Sequence, residues 1–227
     1  MEYIFPGCAV NSSSGISSSI IFHENQDSES LSSLTSALLL NIVNETATRQ
    51  LRTVFIRKEA ILKYDFVHIH GCSKLVTSNW DNVHFIYLSS QDSLIRWFSR
   101  VHMGQRFADL IIVEGLDQFV ENTSDSSFFM RLTYLLEDTR QFIHSSTKDT
   151  EHGHHCGLIV SSSLTKSCIQ KNPSSKLFPQ LPAHALRKTY LLQEQNEINC
   201  FQLHSVEDSW KLNLKRQSDE IFWISDH

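Results

Sequence analysis

Asp109-Leu110-Ile111-Ile112-Val113-Glu114-Gly115-Leu116-Asp117 decides how the rest of this chain is read. Four apolar residues run without interruption, which is too uniform for a strand with one face in water. The run predicts a strand buried on both faces, as in a parallel sheet covered by helices. An acid and then a glycine follow at its carboxyl end, the end of an open α/β sheet where ligands collect.

Working outward from this strand, the apolar pattern alternates between strands and helices. Ile20-Ile21-Phe22, Thr53–Ile56, Val83–Leu88 and Gly157–Val160 read as further strands. Leu34–Thr48 reads as a helix with Leu38, Leu39, Ile42 and Val43 on one face. Asp92–Met103 reads as a second helix, with Asp92 as its cap. Ser126–Ser145 is the strongest, because Phe129, Leu132, Leu136, Thr139 and Ile143 recur at helical spacing. Tyr3-Ile4-Phe5 is one more candidate strand, and Ile61–Ile69 reads as either helix or strand. Residues 164–185 carry three prolines and several lysines and predict an extended loop. Three runs close the chain, Asn199–His204, Trp210–Lys215 and Glu220–Ser225, the last two joined as a hairpin through Gln217-Ser218-Asp219. The expected fold is α/β: a mostly parallel sheet flanked by helices, ending in an antiparallel hairpin. Residues 1–33 form a serine-rich segment that holds the first strand, and residues 34–227 form the core domain.

Composition excludes several classes of function. The chain has 227 residues and 41% apolar content, enough for one domain with a sizeable core. A net charge of −5 gives no global basic field, although a local basic face remains compatible with it. Five scattered cysteines with no Cys-x-x-Cys pair favour reduced thiols over a disulfide framework. Neither a signal peptide nor a membrane span is expected. The Asn-x-Ser/Thr triplets at Asn11, Asn44 and Asn122 are then chance matches.

Glu114 occupies the Walker-B position of a P-loop ATPase, where a carboxylate holds Mg²⁺. A working site also needs Gly-x4-Gly-Lys-Ser/Thr ahead of a helix. The glycines let backbone amides close on phosphate, the lysine neutralises its oxygens and the hydroxyl ligates the cation. Two registers come near this pattern. Gly7–Ser14 keeps the first glycine but has Ser12 and Ser13 in place of the second glycine and the lysine. Glu29–Ser36, which is preferred because its helix leads straight to strand 53–56, lacks both glycines and the lysine. It leaves Thr35, Ser36 and Glu114 as a degenerate nucleotide-binding set, with ATP and Mg²⁺ as doubtful ligands.

Val113–Phe119, the helix containing Leu132–Thr139, and Cys156–Val160 together resemble the Walker-B half of the small RecA-like subunit of the animal Shu complex. Ala37–Leu40, Thr53–Arg57 and the terminal tryptophan hairpin are similar to it as well. The resemblance implies a recombinase paralogue in the nucleus. It would pair with a SWIM-domain zinc protein and promote assembly of the main recombinase on single-stranded DNA. The chain departs from the family pattern in its phosphate loop and in having Glu114 where aspartate is usual. It also contains no Phe-x-x-Ala tetrapeptide, the family's polymerisation signal. Lys166, Lys171, Lys176, Arg187 and Lys188 fall where the resemblance implies a DNA-facing loop, with Phe178 and Tyr190 as stacking candidates. An ordinary solvated loop is the alternative there.

Other constellations carry less. His152, His154, His155 and Cys156 crowd one segment without a matching second ligand pair, and His68, His70 and Cys72 lack a fourth ligand. No Gly-x-Ser-x-Gly elbow supports a hydrolase. Trp210 and Trp223 suggest an interface or a core. Three readings follow: a non-catalytic RecA-like scaffold, a weak ATPase completed by a partner, and an unrelated α/β binding module.

Overall fold

A computed structural model of the chain describes residues 18–24, 29–61, 67–70, 72–74, 76–104, 106–120, 126–146, 156–164, 186, 188–195, 197–206, 210–217 and 220–224. Strand β5 (Leu110–Val113) behaves as its composition dictates, with all four side chains at 0–1% exposure. Successive side chains of a strand point to opposite faces. Leu110 and Ile112 accordingly enter one core, and Ile111 and Val113 enter the other.

Around β5 lie the parallel strands β1 (Ser18–Glu24), β2 (Thr53–Arg57), β4 (Val83–Tyr87), β6 (Gly157–Leu164) and β7 (Lys188–Glu194). The short strand β3 (His68–Ile69) and the antiparallel strands β8 (Cys200–Ser205), β9 (Lys211–Gln217) and β10 (Glu220–Ile224) complete the sheet. Its order is β3-β10-β9-β8-β7-β1-β6-β5-β2-β4. The block from β7 to β4 is wholly parallel. Strands β7 to β10 form an antiparallel meander, with β3 parallel at its far edge. The expected hairpin is β9–β10, where Gln217 pairs with Glu220.

Helix α1 (Glu29–Thr48) covers one face of the sheet, while α2 (Gln91–Arg100) and α3 (Ser126–Ser146) cover the other. Residues Leu34 to Asn44 of α1 are buried without a break. Val67, Ser73, Lys74, Val76 and Trp80 all bond to asparagines of this helix, which explains why polar residues are buried along it. Asn41 Nδ2 donates to the Val67 carbonyl at 3.0 Å, and Asn44 Nδ2 to those of Ser73 and Lys74 at 3.1 and 3.2 Å. These bonds satisfy side-chain N–H groups that burial would otherwise leave costly, whereas Asn41 Oδ1 is buried without a hydrogen-bond partner among the described residues.

Several details differ from the expectation. Helix α1 starts at Glu29, five residues before Leu34, because Leu31 and Leu34, one turn apart, are both buried beneath the serine-rich surface. Strand β7 was not anticipated. It is the parallel neighbour of β1, pairing Ser19 with Lys188 and His23 with Leu192. Helix α2 is capped by Ser90 and not by Asp92. Ser90 has extended backbone angles and accepts from the Ser93 amide at 3.2 Å, while Ser93 Oγ accepts from the Ser90 amide. Asp92 lies within the first turn, where a carboxylate favours the helix dipole. The candidate strand Tyr3–Phe5 lies outside the described residues.

Candidate functional site

The carboxyl ends of β1, β2, β5 and β6 converge on the candidate site. After Val113 the Glu114 amide still donates to Ile56 of β2 at 2.9 Å, so Glu114 is held beside Arg57, the last residue of β2. Gly115 then turns the chain with φ +66°. A Cβ there would adopt a left-handed conformation and lie 2.8 Å from the Gln118 side chain. The Gly115 amide donates to Ser161 Oγ at 3.0 Å. A 3-10 turn, Leu116–Phe119, follows and buries Leu116 and Phe119 against α2 and α3.

Asp117 fastens this turn to β6. Its carboxylate accepts from the Ser163 amide at 2.7 Å and from Ser163 Oγ at 2.6 Å. The run Ser161-Ser162-Ser163 therefore belongs to β6, where its hydroxyls and amides complete a polar clasp between β5 and β6. The sequence reading ended this strand at Val160. The signal that was available is an acid two residues after the glycine, facing a serine run that follows a buried strand.

Glu114 is buried at 8% exposure. Ser36 Oγ, on α1, donates to one of its carboxylate oxygens. Arg57 Nε stands 3.3 Å from the other, in an ion pair with side-chain exposures of 14% and 10%. Two of the three degenerate nucleotide-site residues are thus brought together. Thr35, the third, donates its hydroxyl to the Leu31 carbonyl at 2.8 Å and is buried. Arg57 was missed as a site residue, because its approach to Glu114 depends on β2 and β5 being neighbours.

The residues do not fit a resident ATP·Mg²⁺ group. The preferred phosphate-loop register, Glu29–Ser36, is helical from its first residue, which places Ser36 two turns inside α1. The connection from His23 to Ser36 contains Glu24, Asp27 and Glu29, with neither glycine nor lysine. Acids at that position repel phosphate, and the carboxylate that would hold a cation already faces a guanidinium. The other register, Gly7–Ser14, lies outside the described residues.

Of the DNA-facing candidates, Lys166, Lys171, Lys176 and Arg187 lie outside the described residues, as does Phe178. Lys188 is the first residue of β7 and half-buried. Tyr190 is not an open stacking face. It is 4% exposed in β7 and meets Trp210 edge-on at 5.9 Å between ring centroids.

Cys156 is buried at the start of β6, and burial is the main reason its thiol is pushed up to about 12. His152, His154 and His155 lie outside the described residues. His70 stacks on Phe222 with centroids 3.9 Å apart, and its Nε2 lies 2.8 Å from Glu220 Oε2. Burial, then Glu45, push the Cys72 thiol up to about 11. Among the described residues no group of three or more His, Cys, Asp or Glu side chains is placed to hold a metal.

A parallel α/β sheet of this order, with an acid closing β5 and an antiparallel meander beyond β7, defines a RecA-like domain. The chain is similar to the crystal structure of the RadB recombinase, with a TM-score of 0.59 over 93% of each chain at 10% identity, which shows the fold. No protein-family model and no curated protein matches the sequence at a significant level.

Proposed function

We propose that this chain is a non-catalytic RecA-like scaffold, the smaller subunit of a nuclear homologous-recombination mediator. Its partner in a heterodimer is a SWIM-domain zinc protein, and together they promote assembly of the main recombinase on single-stranded DNA. One observation carries the reading. The Walker-B carboxylate Glu114 is closed off by the Ser36 hydroxyl and the Arg57 guanidinium. The fold of a nucleotide-driven machine is kept, while the acid that would handle Mg²⁺ links α1, β2 and β5. The resemblance of the segments around Val113–Phe119, Leu132–Thr139 and Cys156–Val160 supports the choice of complex. Lys166, Lys171, Lys176, Arg187 and Lys188 are its proposed DNA contacts.

The meeting of Ser36 with Glu114 favours a second reading, because P-loop ATPases draw their cation-handling hydroxyl and carboxylate together in the same way. In that case a partner subunit supplies the missing phosphate-binding cation, and the chain is a weak ATPase.

Co-expression tests the scaffold reading. Full-length chain produced alone and with a SWIM-domain protein is compared for soluble yield and co-elution. Rescue of solubility and a one-to-one complex are expected. A stable, soluble monomer indifferent to the SWIM-domain protein overturns the partner assignment.

A further inference from the structure

A second site lies at the opposite end of the strands from Glu114. A cleft of about 890 Å³ opens between β4, the amino-terminal ends of β2 and β5, and α2, close to the end of α3. This volume falls in the range of small-molecule and nucleotide pockets, ~300–1,000 Å³. Arg52, Arg96, Arg100 and Arg106 line it, together with Trp97 and Phe107, and among the described residues no aspartate or glutamate does. In a chain of net charge −5, four arginines without a lining acid form a local positive field.

The local structure explains how the charges gather. Arg96, Trp97 and Arg100 recur at i, i+1 and i+4 on α2, so the two guanidiniums lie one turn apart on the side facing β4. Like charges at that spacing repel, and an anion between them removes the repulsion. Arg52 supplies an independent sign of a missing ligand. Its Nε is buried with no hydrogen-bond partner among the described residues. A buried donor of this kind is rare because leaving it unsatisfied is costly. The Asp109 carboxylate beside it accepts from the Arg52 backbone amide at 2.8 Å and does not line the cleft. Trp97 and Phe107 are half-buried in the wall, held edge-on by Phe98 and Phe142 at centroid distances of 4.8 and 5.8 Å.

Guanidiniums bind phosphate oxygens through paired N–H groups, and aromatic walls stack on bases. From this combination we infer that the α2–β4 cleft binds the nucleotide units of single-stranded nucleic acid: Arg96, Arg100 and Arg106 hold phosphate at the mouth, Arg52 reaches the ligand from below, and Trp97 contacts a base. The site is separate from the loop after β6 and does not rest on the heterodimer reading.

Anisotropy of a labelled twelve-nucleotide oligothymidine, titrated with the full chain over a salt series, tests this. Arg96→Glu with Arg100→Glu weakens binding at least tenfold and lowers the slope of log K against log salt by about 1–2. Trp97→Ala weakens it by about 5–100-fold through lost stacking. Both Arg96 and Arg100 are exposed, so thermal unfolding of that variant matches wild type; Arg106→Glu, off the helix, repeats the test independently. Lys188→Glu serves as the comparison. An effect confined to Lys188→Glu supports the loop after β6 and overturns the cleft. Unchanged affinity and slope in both cleft variants overturn it too. So does equal affinity for free thymidine monophosphate, or binding of an acidic peptide without the oligonucleotide.

Discussion

Replacing Glu114 by glutamine separates a structural carboxylate from a cation ligand kept in reserve. The amide still accepts from Ser36 Oγ, so the variant removes charge and little else. What remains is the Arg57 guanidinium, 14% exposed, without the carboxylate 3.3 Å away. Removing one partner of a fully buried pair costs ~3–5 kcal/mol. Because both groups keep some exposure, about 2–3 kcal/mol of lost stability is expected, below that range. For a chain of this size that corresponds to a melting temperature roughly 4–12 °C lower. Neutralising both partners, Arg57→Leu with Glu114→Gln, returns stability to within about 1 kcal/mol of wild type, giving a coupling energy of about 1–3 kcal/mol. Urea unfolding of the four proteins in the cycle measures this, with constant m values certifying the comparison. An idle magnesium ligand behaves in the opposite way, since its neutralisation relieves an unpaired charge. If Glu114→Gln leaves stability within about 0.5 kcal/mol of wild type, or raises it, the reasoning fails.

Three further outcomes are expected. Glu137 receives Arg140 bidentately at 2.9 and 2.7 Å with both side chains buried, so Glu137→Ala should cost about 3–5 kcal/mol in urea unfolding; a loss below about 1 kcal/mol would contradict the pairing. Gly115→Ala forces a left-handed Ala against Gln118 and should cost about 1–2 kcal/mol, visible as a lower urea midpoint at unchanged m; an unaltered midpoint would refute the strain. The Cys156 thiol, raised from 9.0 to about 12 mainly by burial, stays neutral in the fold while the unfolded chain ionises. Its contribution is therefore intact below about pH 9 and is lost as pH rises from there towards 12. The urea midpoint of wild type should fall more steeply over that window than that of Cys156→Ala, and parallel profiles would exclude the linkage.

Much of this architecture is written locally. Leu110–Val113 announces a doubly covered strand because four apolar neighbours leave no polar face. Phe129, Leu132, Leu136 and Ile143 announce α3 by their spacing. Strand β7 is silent because its apolar core is short, Tyr190-Leu191-Leu192, and is flanked by Lys188 and Gln193-Glu194, which read as loop. Its identity as a strand comes from pairing with β1 and β8, a long-range fact. The first turn of α1 is hidden by Ser30, Ser32 and Ser33, which are poor helix formers, while Leu31 and Leu34 find the core. The candidate site divides in the same way. Ser36 and Glu114 are legible as positions in a motif, because motifs are local. Arg57 closes the site only because β2 lies beside β5, and Ser163 meets Asp117 only because β6 lies on the other side. The α2–β4 cleft was equally invisible, since Arg52 is far in sequence from Arg96, Arg100 and Arg106 and joins them only because β2 lies beside β4.

Calorimetric titration of ATP·Mg²⁺ into the purified full chain and into Glu114→Ala tests the central claim most directly. With the carboxylate closed by Ser36 and Arg57, and Glu29, Leu34 and Thr35 in place of the two glycines and the lysine, no saturable heat is predicted for either protein at micromolar concentrations. Stoichiometric binding to wild type that Glu114→Ala abolishes would contradict the scaffold account and return Glu114 to the role of a magnesium ligand.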